Sequence, residues 1–203
     1  MARYLMTHSL LSSWLYAMSD NPYSDATNEK PPLEEFLQVL RREPTETTEA
    51  MQKGINFENL VTQIVQTGEL VQNPWTEAAR WVAQRVHGGL LQYVAKREDT
   101  IGGIDVLMYG RLDALKAGHI YDIKFSGSYE SGKFFDSTQH PMYLYLVPEA
   151  KAFTYLVSNG TNCWEETYRR DETEDIRSYV AQFFDWLKEQ GMFGIYKEHW
   201  STK

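Results

Sequence analysis

Residues 109–126 run YGRLDALKAGHIYDIKFS, two stretches rich in Leu, Ile, Tyr and Ala broken at Ala117-Gly118. Strand-forming residues on either side of a glycine-containing pair predict a β-hairpin. A turn centred between Ala117 and Gly118 sets Asp113 opposite Asp122, Ala114 opposite Tyr121 and Arg111 opposite Lys124. Side chains two apart on a strand share a face, so Asp113, Asp122 and Lys124 converge. A one-residue shift of the turn would send one of them to the other side.

Like charges opposed across a sheet are destabilising, and half-buried carboxylates raise each other's pKa unless something compensates. A hard divalent cation, Mg2+ or Mn2+, is an economical compensator, because it takes one or two protein carboxylates and completes its shell with water and phosphate. Lys124 is placed to touch water or phosphate beside such an ion. A third acid comes from GINFENLV, where Phe57, Leu60, Val61, Ile64 and Val65 form an apolar helical stripe and Glu58 projects at its edge.

Outward from the hairpin, helical spacing predicts helices over residues 8–18, 33–40, 48–68 and 74–86, with a polar connection at 20–32. The first third therefore reads as all helical. Strands are expected at 90–95, 104–115 and 119–125, then a helix at 139–147, strands at 152–157 and 163–168, and an amphipathic helix at 174–189 before an aromatic tail ending near Trp200. The expected fold is α/β, one domain over residues 1–203, with residues 1–50 as a helical elaboration packed on a central mixed sheet.

The chain has 203 residues and a formal charge of -8, which at first argues against a polyanionic partner. The acidity is uneven: residues 51–164 hold eleven acids and ten bases, a net of -1, while the flanks carry the rest. The middle of the chain is not hostile to phosphate. Cys163 is the only cysteine, which excludes an intrachain disulfide and a four-thiolate zinc or iron-sulfur site. The apolar runs fall short of the roughly 18 residues needed to cross a bilayer, and the first residues lack a signal peptide's apolar core, so a cytoplasmic protein without membrane partners is expected.

Taken in order, Glu58 in GINFEN, Asp113 in GRLD, Asp122-Ile123-Lys124 and Gln139-x-x-x-Tyr143 resemble the PD-(D/E)XK nuclease superfamily, most closely its RecB-like branch of phage exonucleases and recombination nuclease domains. The likeness covers about residues 50–157. Leu112 stands where a Pro usually precedes the first sheet Asp, and the cysteine cluster that holds iron-sulfur in some relatives is absent.

The resemblance implies a restriction-endonuclease-like core and hydrolysis of DNA phosphodiesters. It implies one or two Mg2+ or Mn2+ ions held by Glu58, Asp113 and Asp122, with the Ile123 carbonyl as a further ligand, and no iron-sulfur cluster. Lys124 would orient or deprotonate the attacking water, and Gln139 and Tyr143 would position the metal-site residues or the DNA backbone. Arg85, Lys96, Arg97, Arg111 and Lys133 flank the expected site as phosphate contacts, and Tyr129 is a base-stacking candidate. An exonuclease in phage-like recombination or DNA processing leads, with DNA and a homo-oligomeric or recombination-protein partner. A nuclease-derived DNA-binding or assembly protein and a structure-specific endonuclease are the alternatives.

Overall fold

A computed structural model describes residues 3–19 and 31–202; most of the polar connection expected at 20–32 lies outside them. The hairpin forms in the expected register as far as Ala114–Tyr121, and the expected Asp113–Asp122 and Arg111–Lys124 pairs are not made. β3 (Ile104–Lys116) and β4 (His119–Phe125) pair Ala114 with Tyr121, Leu115 with Ile120 and Lys116 with His119. Ala117 and Gly118 both take positive φ, 49° and 73°, as a two-residue type I′ turn requires, and glycine adopts that conformation without a Cβ penalty.

β2 (Leu90–Ile101) runs antiparallel along β3 from Leu115 to Ile104, occupying one edge of that strand. It continues six residues past the expected end, because Lys96–Glu98 lie on an exposed stretch that tolerates charge in a strand. The other edge of β3 is divided. Its C-terminal part pairs with β4, and residues 106–109 pair in parallel with β1 (Arg3–Thr7). Asp113 falls in the interval between these two partners.

β1 corrects the all-helical reading of the first third: RYLMT is a strand inserted into the central sheet, with Met6 fully buried. Five residues are too few for periodicity to separate a strand from the first turn of the following helix. Beyond β4, β5 (Ala152–Ser158) is parallel to it and β6 (Cys163–Arg169) antiparallel to β5. The result is a seven-stranded mixed sheet.

Helices cover both faces. α3 (Glu49–Thr67), capped by Thr48 and closed by left-handed Gly68, and α4 (Thr76–Val86) bury Phe57, Leu60, Val61, Ile64, Val82 and Val86 against Ala114 and Leu156. α1 (His8–Met18), α2 (Pro32–Leu40), α5 (Gln139–Leu146), α6 (Ile176–Glu189) and α7 (Phe193–Trp200) build the larger core with Met108, Leu112, Ile120, Phe153 and Tyr155. Neighbours along β4 and β5 alternate between these two clusters, which places them on opposite faces.

The C-terminal aromatic stretch is not a loose tail. α7 leads into β7 (Ser201–Thr202), which pairs with β1, and the buried Trp200 indole donates to Leu40 O at 2.8 Å. Among the described residues no helix is long and apolar enough to cross a membrane.

Candidate active site

Beyond the Ala114–Tyr121 pair the β3–β4 ladder stops, and a side chain takes its place. The Ile123 backbone N–H donates to Asp113 Oδ2 at 2.7 Å. Asp113 is thus fixed against the strand that carries Asp122 and Lys124. Asp122 is 4% exposed, and Gln139, in the first turn of α5, donates through Nε2 to its Oδ1 at 2.5 Å. The Lys124 ammonium lies 2.9 Å from Asp122 Oδ2. Tyr143, one helical turn after Gln139, donates its hydroxyl to Arg111 O at 3.2 Å. The i, i+4 spacing thus puts one residue on each of the two strands that bear the acids.

The electrostatics follow from this crowding. Burial raises the Asp113 carboxyl well above its ordinary pKa; the negative charges of Asp122 and then Glu58 raise it further, against the opposing Ile123 hydrogen bond and Lys124 charge. Burial alone would lower the Lys124 pKa. The attraction of Asp122, with support from Asp113 and Glu58, reverses it, and Lys124 is raised and stays an ammonium. Burial also raises the Tyr143 phenol, with Asp122 adding to the shift.

Glu58 reaches this neighbourhood from α3, half-buried, with Gln92 Nε2 donating to its Oε1 at 2.5 Å. Among the described residues no three of His, Cys, Asp and Glu form a group that could hold a metal ion. Glu58, Asp113 and Asp122 are therefore electrostatic neighbours, not a closed set of three ligands. The residues nevertheless fit a hard cation. Asp122 Oδ2 is enclosed and accepts no well-directed hydrogen bond among the described residues, with only the Lys124 ammonium at ion-pair distance. The donors are carboxylate oxygens, and two carboxylates lie within the one or two that Mg2+ usually takes from protein.

The expected phosphate contacts do not converge. Arg85 pairs with Glu165 and lies 3.3 Å over the Trp81 ring, on the α4 side. Arg97 donates to Tyr145 O and stacks on its ring at 4.1 Å, and Lys96 stands 5.8 Å from the Tyr109 ring, both on the distal half of β2. Lys133 donates to Ser126 Oγ and Ser128 O, closing its own loop. Arg111 is exposed on β3, two residues before Asp113, and its charge acts on Tyr143. Tyr129 packs on Trp164 and donates to Glu166 Oε2 at 2.7 Å, so its hydroxyl and one ring face are already committed. A cavity of about 680 Å³ opens at the start of α3, lined by Thr48, Lys53, Trp75, Phe125 and Asn159, and does not contain the acids.

Two groups escaped the sequence reading. Gln92 offers no pattern beyond one polar residue in LLQYV. Glu166 accepts from Tyr129, Tyr168, Gly132 N and Phe134 N; although burial opposes its charge, these donors lower its pKa, and they tether the loop leading to α5. His8, the first residue of α1, bonds through Nδ1 with Thr138 Oγ1 at 3.2 Å. Burial, Lys124 and His140 depress its pKa to about 3.

No protein-family model and no curated protein matches the chain. The fold is similar to a solved crystal structure, that of SSO0001, with a TM-score of 0.53 and 14% identity over 93% of this chain and 77% of that one. At this identity the likeness speaks for the fold.

Proposed function

We propose that the chain is a divalent-metal-dependent deoxyribonuclease of the PD-(D/E)XK type, acting as an exonuclease in DNA processing. One observation carries the reading: Asp113 and Asp122 are driven together at the point where β3 and β4 part, with Lys124 beside them and Gln139 holding one carboxylate. Such opposition costs stability and is retained where charge is needed for function.

Asp113 and Asp122 would hold Mg2+ or Mn2+, with Glu58 as the neighbouring third acid. The bound ion supplies Lewis-acid stabilisation of charge on phosphate oxygens and lowers the pKa of a bound water. Gln139 keeps Asp122 oriented. Lys124, 2.9 Å from Asp122 Oδ2, would attract the scissile phosphate and orient or help deprotonate the attacking water. Arg111 is the candidate phosphate contact beside Tyr143. The near-neutral middle of the chain is compatible with DNA, and the net charge of -8 limits non-specific affinity.

A second reading, a nuclease-derived DNA-binding or assembly protein without catalysis, is favoured by one observation: three acids do not form a ready metal-holding group. End-labelled linear and closed circular DNA, incubated with wild type and Lys124→Ala in Mg2+ and in chelator, separates the readings. An exonuclease degrades only the linear DNA, only with metal, and loses roughly 100-fold or more in the variant. Cutting of the circle points to an endonuclease; binding without cleavage favours the second reading. Equal activity of the two proteins removes Lys124 from the mechanism.

A further inference from the structure

Gln92, the third residue of β2, is a non-glycine residue within a strand and has φ +51°. The β2–β3 register is the same on both sides of it, Leu91 with Ala114 and Tyr93 with Leu112, so no residue has been inserted. Its partner position is Asp113. Across this pair the strands turn over: Ala114, with Leu91, packs in the α3/α4 cluster, whereas Leu112 belongs to the cluster on the opposite face. Strict alternation would have put both pairs on one face.

The turnover sends two side chains out along the sheet. Asp113 points toward β4, where it accepts from Ile123, and Gln92 points toward α3, where its amide donates to Glu58. A left-handed backbone at a side-chain-bearing residue persists only where its surroundings over-determine it, and such positions cluster at functional sites.

We propose that Gln92 is a positioning residue that holds Glu58 toward the Asp113–Asp122 pair, so that Glu58 joins them in binding a divalent cation. This rests on the metal-dependent reading above, and extends it to a residue that touches neither substrate nor ion. The amide restrains one carboxylate oxygen and leaves the other for metal or its waters. Partners of this kind usually change metal affinity by about 10–100-fold when removed.

Three substitutions separate backbone from amide. Gln92→Gly permits the left-handed conformation and deletes the amide; Gln92→Ala deletes the amide and keeps the penalty; Gln92→Asn keeps a shorter amide and tolerates the conformation. The full chain is titrated calorimetrically with Mn2+ alone, and kcat, KM and Tm are measured in parallel. Gln92→Gly is expected to keep or raise Tm, weaken Mn2+ about 10-fold or more, and lower kcat with little change in KM. Gln92→Ala is expected to lose Tm as well, and Gln92→Asn to recover part of the affinity. Wild-type Mn2+ affinity in a folded Gln92→Gly overturns the proposal. If wild type binds Mn2+ without cutting DNA and the glycine variant still binds it more weakly, the nuclease reading fails and the positioning role stands. A wild type that binds no Mn2+ overturns both.

Discussion

Gln139 Nε2 donates to Asp122 Oδ1 at 2.5 Å, joining the first turn of α5 to a carboxylate that is only 4% exposed. Removing a donor from a buried acceptor costs its desolvation penalty, about 1–3 kcal/mol. Gln139→Met keeps most of the volume and removes the amide. It is expected to lower Tm, each kcal/mol being worth roughly 2–4 °C in a chain of this size, and to reduce kcat more than it changes KM. Thermal melts with steady-state kinetics check this; an unchanged Tm would show that the amide contributes no net stability.

Asp113 contributes to stability with the opposite sign. Its folded pKa lies above the ordinary 3.8, chiefly through burial and then Asp122 and Glu58. The stability it contributes is therefore complete below that ordinary value and is lost as pH rises through the raised one. At pH 7, above the ordinary value, keeping this carboxyl in the fold costs stability. Asp113→Asn retains an oxygen to accept from Ile123 and is expected to gain on the order of 1 kcal/mol at pH 7, while activity collapses. Calorimetry in chelator at pH 7 and pH 4 tests the sign: the gain should shrink at pH 4, and a variant less stable at pH 7 contradicts the placement.

His8 and His140 act in the other direction and predict acid sensitivity. Burial, followed for His8 by Lys124 and His140, depresses His8 to about 3; burial, partly countered by Glu166, depresses His140 to about 4. Both are neutral in the fold, while an unfolded chain protonates them near 6.5. Their contribution is full above pH 6.5 and declines as pH falls toward these folded values. Tm should drop between pH 6.5 and 4 in chelator, and His8→Gln should flatten that slope. Equal pH slopes of Tm for wild type and His8→Gln refute the assignment.

The hairpin was legible because a two-residue turn and a period of two leave little freedom: once Ala117-Gly118 is the turn, the register of Ala114 and Tyr121 follows. The strands and most helices were legible from periodicity, and Gln139 and Tyr143 only through the family resemblance, with which their four-residue spacing is consistent. What escaped depends on contacts distant in sequence. β1 is a strand because residues 106–109 offer it an edge, and Trp200 is buried because Leu40 O receives its indole. Arg85 and Arg97 read as free cations until Trp81, Glu165 and Tyr145 are brought beside them. Gln92 was illegible for another reason: its positive φ breaks the alternation on which a strand is recognised.

Gly110 ties the packing of α5 to the acids. A Cβ there would stand 2.7 Å from Tyr143 Cε1 and 2.8 Å from Leu146 Cδ1, closer than real contacts allow. Tyr143 is clamped from its other end by its bond to Arg111 O, so it cannot simply swing aside. Relief must come from moving α5, whose first residue is Gln139. Gly110→Ala is therefore expected to cost about 1–3 kcal/mol by overpacking, and to lower kcat by loosening Gln139 from Asp122. If the helix shift is the cause, part of that loss is already present in Gln139→Met. The double variant should then fall short of the summed effects by more than about 0.5 kcal/mol, the scatter seen for independent sites. Full additivity would mean that Gly110 supports the fold without acting on the Asp122 bond.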